Sequence, residues 1–338
     1  MSVTIKDVAR EAQVSVATVS RALNGHTNVT AQLRGRIEAV VDRLRYVPHG
    51  AARSLITRRT QTIGAILPDL YGEFFSELMR GMDAATRAHG LHLLVSSSHG
   101  SADEATRALR ALRGRVDGLL LMSPHADADA LVRDLPAGVP TVLMNTRGRH
   151  RVLGTLSIDN YGGARAMVAH LVGVGHRRIA TIAGPEGNFD AGERLRGFLD
   201  GLADAGIAAE PLVLRGDFSE KSGHDAGASI ARMARRPEAV FAANDMMALG
   251  CLFAFNQAGI RVPADIALAG FDDIPMARYV SPPLTTMRVN IAELGERAAR
   301  TLIAALAGDE APTAEVSAPG LVVRESCGAL PARRPDSS

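Results

Sequence analysis

The chemistry that would make this chain an enzyme is missing from it. There is no G-x-S-x-G, no Walker lysine motif and no G-x-G-x-x-G, and Gly173-Val174-Gly175 ahead of His176 reads as a helix end and turn. No nucleophile, base and orienting group converge in any stretch, so no catalytic residue is expected. Asp272-Asp273 supplies only two adjacent carboxylates with no histidine nearby, too few ligands for a metal ion; neither a metal nor a cofactor is expected. Cysteine is scarce too. Cys251 and Cys327 have no Cys or His at metal-ligand spacing, which fits reduced structural thiols in a cytosolic protein. No run of eighteen apolar residues exists to span a membrane, and Met1 to Asp7 meets a charge before an apolar signal segment can form. The expectation is a cytoplasmic protein with no membrane partner.

Excess charge is also small, a formal +2 over 338 residues, but it is unevenly distributed. Residues 1–60 hold ten Lys/Arg against four Asp/Glu, net +6, whereas the rest is net −4. A basic head on a mildly acidic body fits a polyanion partner for the head alone. With 46% hydrophobic residues the chain can bury large cores, and its length calls for two or three units.

The head reads as three short helices. Thr4 to Asp7 has the form of a capping box, and Ile5, Val8, Ala9 and Ala12 follow on one face. Ser15 is a second N-cap, opening a helix from Val16 to Leu23 with Val19, Ala22 and Leu23 buried; Asn24-Gly25 ends it. Thr30 caps a third, in which Ile37, Val40, Val41 and Leu44 recur at i, i+3, i+4, i+7. Two helices joined by a tight turn and braced by a third make a helix-turn-helix unit, its second helix placed to enter the major groove. Val16 and Ala17 would meet thymine methyls, and Arg21 would fork onto guanine O6 and N7. Ser15, Thr18, Ser20 and Asn24 would hold phosphates and fix register, as would Arg34. The bland alternative is a structural three-helix cap with a solvated arginine.

Pro48 stops the third helix, and Ala51 to Ile56 form only a turn or two, too short to be stable alone in water. Leu55 is then an apolar residue in a basic linker. It is equally a wedge for a minor-groove base step or a plain linker residue that docks on the body.

The run Thr4-Ile5-Lys6-Asp7-Val8-Ala9, then Val14 to Asn24, then Tyr46-Val47-Pro48 and Ala52-Arg53-Ser54-Leu55, closely resembles the head and hinge of the lactose-repressor (LacI/GalR) family of bacterial transcription regulators. The resemblance extends to about Arg324. It implies a homodimer on a pseudo-palindromic double-stranded operator, hinge helices inserting a leucine matched here by Leu55, and an effector-binding body. Val16 and Ala17 fall at the family's variable specificity positions, and Arg21 matches an arginine found in some members. The DNA-binding set is thus Thr4, Ser15, Val16, Ala17, Thr18, Ser20, Arg21, Asn24, Asn28, Arg34, Ala52 and Leu55.

From Thr62 apolar runs alternate with helical patterns. Strands are expected at 63–67, 91–96, 116–122, 141–144, 179–183, 239–242 and 266–269, with Phe75, Leu78, Met79, Met82 and Ala85 marking a helix face. Such alternation means parallel sheets with helices on both faces, and two series mean two doubly wound halves with a crevice at the carboxyl ends of their strands. The residues after those strands are carboxylates, carboxamides, an arginine and aromatic rings, the inventory for a ligand with many hydroxyls and apolar ring faces, hence a sugar. Each has a bland reading as well, since Asp and Asn after a strand commonly cap the next helix.

The family resemblance implies that Arg194, in Arg194-Leu195-Arg196-Gly197-Phe198, grips the effector, that Asn244-Asp245 is the family's Asn-Asp signature, and that Asp272 contacts the ligand while Phe218 stacks on it. Phe74 and Phe75 match aromatics used by some members, and Asp69, Asn145 and Asp159 are weaker matches. The expected organisation is an all-α helix-turn-helix domain at 1–47, a hinge helix and linker at 48–60, and an α/β effector-binding and dimerisation domain at 61–330, of the type I periplasmic-binding-protein kind. Its N-subdomain would span about 61–159 and 290–319 and its C-subdomain about 160–289 and 320–330, followed by a tail at 331–338. That tail carries no leucine heptads, which favours a dimer over a tetramer. The function expected is an allosteric repressor of carbohydrate uptake or catabolism genes with a sugar effector. Alternatives are a member responding to a purine or another non-sugar, a sugar-binding protein without DNA function, and a sugar-modifying enzyme.

Overall fold

The computed structural model describes residues 3–23, 28–46, 59–125, 133, 135–136, 138–146, 154–207, 210–309 and 314–328. Asn24, Ala52 and Leu55, and with them the expected hinge helix, lie outside the described residues. Contacts divide the chain into two units, Met1–Thr60 and Gln61–Ser338.

The first unit holds α1 (Ile5–Glu11), α2 (Val16–Leu23) and α3 (Ala31–Leu44). Each begins where a polar side chain can satisfy the free N–H groups of a first turn. The backbone N–H and hydroxyl of Thr4 both donate to Asp7, Ser15 accepts from the Thr18 N–H, and Thr30 from that of Leu33. Val8, Ala9, Ala12, Val19, Ala22, Ile37, Val40 and Tyr46 close a small core.

The second unit carries two six-stranded sheets. In chain order its elements are β1 (Thr62–Leu67), α4 (Glu73–Ala88), β2 (His92–Ser97), α5 (Ala102–Leu112), β3 (Gly118–Met122), β4 (Thr141–Met144), β5 (Gly154–Ile158), α6 (Asn160–Val174), β6 (Ile179–Ala183), α7 (Phe189–Asp204), β7 (Val213–Arg215) and α8 (Glu220–Ala231). They continue with β8 (Ala239–Ala242), α9 (Asp245–Gln257), β9 (Ala267–Asp272), a 3-10 turn (Pro275–Arg278), β10 (Thr285–Arg288), α10 (Ile291–Ala307), β11 (Glu315–Ser317) and β12 (Gly320–Val322). The first sheet runs β11-β5-β4-β3-β1-β2, and the second β12-β10-β9-β8-β6-β7. All pairings are parallel except β10 with β12. The chain therefore crosses between lobes three times, after Ile158, after Arg288 and after Ser317.

Alternation along each strand decides which core a residue joins. Ile66, Leu119, Leu121 and Leu143 face α5, whereas Ile63, Ala65, Leu67, Leu120, Met122, Val142 and Met144 face the core shared with α4 and α10. With both faces covered, these strands are apolar throughout. Against expectation, the second strand starts at His92 rather than Leu91, the third at Gly118 rather than Val116, and β9 extends to Asp272 because it pairs with β10 that far. Strands β5, β7, β10, β11 and β12 were not expected, being short or rich in Thr, Ser and charge. Among the described residues no helix is long and apolar enough to cross a membrane.

Helices α4 and α10 touch through glycine. A Cβ on Gly81 would stand 1.8 Å from the Ala292 carbonyl oxygen, and one on Gly295 would stand 2.2 Å from that of Leu78. Because the obstacle is backbone, it cannot rotate away. Gly81→Ala is expected to destabilise the body by about 1–3 kcal/mol or more despite the higher helix propensity of alanine; a urea midpoint equal to that of the parent would contradict this packing.

Candidate functional site

On α2, Ser15, Val16, Ala17 and Arg21 are exposed, Val16 to 41%, while Val19 and Ala22 are buried. The helix thus turns its small and basic residues outward because its β-branched and small apolar ones are held by the core. Ser15 Oγ lies 2.8 Å from Thr18 Oγ1, so the two hydroxyls form one polar step at its start. Thr4 and Asn28 are exposed, and Thr18, Ser20 and Arg34 are partly buried.

In the second unit a cavity of about 340 Å³ opens at the carboxyl ends of both sheets. It is lined by Asp69, Phe74, Phe75, Asn145, Arg194, Phe218, Asn244 and Asp272, eight of the nine effector candidates, drawn from both lobes. Asp159 does not line it. The Asp159 carboxylate accepts the Gly162 N–H and caps α6, the ordinary role of an acid between strand and helix.

Arg194 is the centre of the site. It is 5% exposed, and its guanidinium donates to Asn160 Oδ1 at 2.7 Å and to the Ala243 carbonyl at 2.5 Å, and it stands 3.2 Å from Asp272 Oδ1. Its Cζ lies 3.8 Å from the centroid of the Phe271 ring, a cation–π seat. Asn160 in turn donates to Asp190 at 2.9 Å. Burial lifts the Asp190 carboxyl to about 7 against the downward pull of Arg194, with Asp272 raising it further. Burial also lifts Asp272 to about 6, again opposed by Arg194. One cation therefore holds two carboxyls that titrate close to neutrality.

Two acceptors in this cavity are unsatisfied, Asn145 Oδ1 and Asp272 Oδ1. The second is ion-paired with Arg194 at 3.2 Å, which takes part of its capacity and leaves room for a further donor. Buried acceptors without donors are costly, and a ligand hydroxyl would satisfy either. Backbone strain gathers in the same place. Non-glycine residues with left-handed backbone include His99 (φ 48°), Asn145 (φ 44°), Phe218 (φ 73°) and Asp272 (φ 114°), all lining the cavity. Such conformations persist where the surroundings over-determine them, as in preformed binding sites.

Asn244 is used at both ends, accepting the Met247 N–H and donating to the Phe218 carbonyl at 3.0 Å. It holds the loop that presents Phe218. Asp245, next to it, is fully buried and tied to Thr286 and the Ile274 N–H, with its carboxyl pushed well up by burial; it fastens α9 to β9 and β10. Asp69 folds back on the N–H groups of Leu70 and Tyr71 at the exposed rim. Phe74 and Phe75 meet edge to face, centroids 5.3 Å apart. The mouth is bridged between lobes: the Tyr71 hydroxyl donates to Glu220 at 3.1 Å, the Met276 N–H to Glu73 at 2.9 Å, and the Phe189 N–H to the Pro124 carbonyl at 2.9 Å.

Asp190 and Asp217, two of the carboxylates that follow strands, also line the cavity; His99 and His125 line it without having been expected there, and Asn160 organises Arg194 from behind. The signal was available for the histidines, since they follow β2 and β3 as the chosen residues follow other strands. Cys327, expected to lack a histidine partner, has His170 Nε2 at 3.3 Å from its sulfur, a contact across 157 residues that no local spacing reveals. Among the described residues no cluster of His, Cys, Asp or Glu suits a metal ion.

The Asp190 carboxyl makes a pH prediction. Its pKa in the folded chain is about 7 against an ordinary 3.8. A raised carboxyl leaves stability intact below the lower value and removes it as pH climbs through the higher one. Asp190→Asn should therefore gain stability relative to the parent between about pH 4 and pH 7, by on the order of a few kcal/mol, and hold that gain above. Unfolding midpoints at both ends of the window measure it; a difference independent of pH would show that Asp190 is ionised throughout.

Comparison with known proteins now decides the family. Residues 4–49 match the family described as "Bacterial regulatory proteins, lacI family", and residues 168–327 match "Periplasmic binding protein-like domain". The HTH-type transcriptional repressor CytR of Escherichia coli K12 is 34% identical over 331 residues, 97% of each chain. The chain belongs to the lacI family of bacterial regulatory proteins. This lacI-family chain is a DNA-binding transcriptional regulator and not an enzyme, which removes the sugar-modifying and DNA-independent alternatives. The ribose operon repressor of the same strain is 36% identical over 304 residues, covering 89% of this chain and 92% of that one. In structure the chain is similar to the lac repressor dimer bound to operator and the anti-inducer ONPF, at TM-score 0.86 and 29% identity over 97% and 100% of the two chains. It is also similar to the transcriptional regulator CelR in complex with cellobiose, at TM-score 0.69 and 34% identity over 96% and 99%.

Proposed function

We propose that this regulator is a cytoplasmic homodimer that represses carbohydrate uptake or catabolism genes from a pseudo-palindromic operator, and that a small sugar in the 340 Å³ cavity controls it. The observation that carries the sugar is the pair of buried acceptors, Asn145 Oδ1 and Asp272 Oδ1, in a cavity that Phe74, Phe75 and Phe218 also line. Acceptors call for a donor-rich ligand, and the rings suit the apolar faces of a pyranose or furanose. The cavity volume is at the small end for ligand sites, which favours a mono- over an oligosaccharide. Relatives lend support: CelR is described with cellobiose, and a LacI-family regulator from Enterococcus faecium, 26% identical, with bound ribose.

Control follows from the bridged mouth. A ligand held by both lobes changes the balance of the Tyr71–Glu220 and Glu73–Met276 contacts, and any ligand that prefers one lobe arrangement shifts the population toward it. DNA and sugar then influence each other reciprocally, by about 1–3 kcal/mol. For dimerisation the support is that, among the described residues, β2 is an edge strand of its sheet and carries exposed Leu94. Operator titration at fixed salt against a panel of mono- and disaccharides, with purines as the contrasting arm, tests the reading. A sugar that binds the body and moves operator affinity in either direction supports it. If every sugar that binds leaves operator affinity unchanged, or if only purines act, it is wrong.

A further inference from the structure

A second cavity, of about 360 Å³, lies in the C-terminal lobe and is lined by Arg177, Arg178, Arg235 and Arg236 above a floor that includes Ile179, Leu202, Ile207 and Leu212. It is at the amino ends of β6 and β8, whereas the effector cavity is at the carboxyl ends of the same strands. A five-residue strand separates the two by roughly 17 Å. Glu210 is the carboxylate among the described lining residues, and Glu238 pairs with Arg178, leaving four arginines against two carboxylates.

All four arginines are exposed, and two of them are anchored by backbone carbonyls. The Arg177 guanidinium donates through one nitrogen to the carbonyls of Val172 and His176, and that of Arg236 donates to the Ala231 carbonyl. Carbonyls fix a guanidinium in place without cancelling its charge. Arg178 pairs with Glu238 at 2.6 Å, and Glu238 is itself absorbed by the backbone N–H groups of Arg177 and Arg178, which keep its carboxyl below the usual range. Its charge is spent inside the wall rather than across the opening. Preset guanidiniums over an apolar floor suit a planar or tetrahedral anion attached to an apolar body. We propose that this is a binding site for a small organic phosphate, separate from the effector cavity and able to report a second metabolite to the same regulator.

The competing explanation is purely structural: Arg177 and Arg236 sit at the ends of α6 and α8, where cations steady the last carbonyls. Arg235 separates the two. It is exposed, lines the cavity, and has no hydrogen bond or ion pair among the described residues. Calorimetric titration of the full chain at constant ionic strength should show saturable binding of phenyl phosphate, weaker binding of inorganic phosphate, and none of phenol at this site. Arg235→Ala should weaken phenyl phosphate roughly tenfold, the worth of one charge-assisted hydrogen bond, without altering the unfolding midpoint. Arg194→Ala, in the other cavity, should leave phenyl phosphate affinity unchanged if it remains folded by circular dichroism; Phe218→Leu serves the same purpose if it does not. Unsaturable uptake that vanishes with added salt, affinity unmoved by Arg235→Ala, or binding only of an acidic peptide such as oligoglutamate would each overturn the proposal.

Discussion

Arg194→Ala is expected to abolish the response to effector while leaving operator binding intact, and to destabilise the body by about 3–5 kcal/mol at neutral pH. The two losses have one origin. Arg194 bonds Asn160 and the Ala243 carbonyl, and it is the cation beside Asp272 and Asp190. Removing one partner of a buried pair leaves the other charge uncompensated. Asp272 then has an escape, because its carboxyl already titrates at about 6 and, without Arg194 to pull it down, takes up a proton at still higher pH. The penalty should accordingly shrink as pH falls through and below that value. Adding Asp272→Asn to Arg194→Ala should recover most of the stability and none of the response. Effector-dependent operator release and urea midpoints at two pH values measure both halves; a double variant that regains the response would remove Arg194 from the ligand-binding role.

In the head, Arg21→Ala is expected to weaken a matched operator by roughly ten- to a hundredfold, the worth of a bidentate arginine–guanine pair of about 1–3 kcal/mol, and to weaken scrambled DNA far less. Exposed Arg21 stands one turn after the small residues Val16 and Ala17, on the face opposite buried Val19 and Ala22. Arg34→Ala, read as loss of a phosphate contact, should weaken both DNAs alike and lower the salt slope by about one. Filter-binding or anisotropy titrations on matched and scrambled operators over a range of salt separate the two. Equal losses on both DNAs for Arg21→Ala would mean that it holds the backbone and reads no base.

Much of this was legible from residue order because a few physical rules act locally. The caps Thr4, Ser15 and Thr30 fix helix starts from neighbouring residues alone, and the buried runs of β1, β4, β6 and β8 are apolar because both faces of their sheets are covered. Strands β7, β10, β11 and β12 were hidden for the converse reason. Each has only three or four residues, and Thr285-Thr286 is buried through hydrogen bonds to Ser326, Cys327 and Asp245 rather than through apolar side chains. The effector cavity was findable by looking past the strand ends, since topology places those residues together. That rule cannot distinguish an acid that faces the cleft from one that caps the next helix. Asp272 ends a strand and Asp159 directly follows one, yet the first pairs with Arg194 and the second with the Gly162 N–H. Nor can it find Asn160 or weigh Asp190, whose roles depend on burial shared with residues about thirty positions away.

The threefold passage of the chain between lobes bears on the order in which the protein can be made. The first lobe needs β11, at Glu315–Ser317, to complete its sheet and α10, at Ile291–Ala307, to cover the face that α4 shares. Nothing up to Ile158 can close that lobe by itself. The head, by contrast, draws its whole core from Val8 to Tyr46. During synthesis the DNA reader can be finished while the ribosome has yet to deliver most of its control apparatus. The later segment that carries α10 and β11, not the first lobe encountered, brings the switch into being.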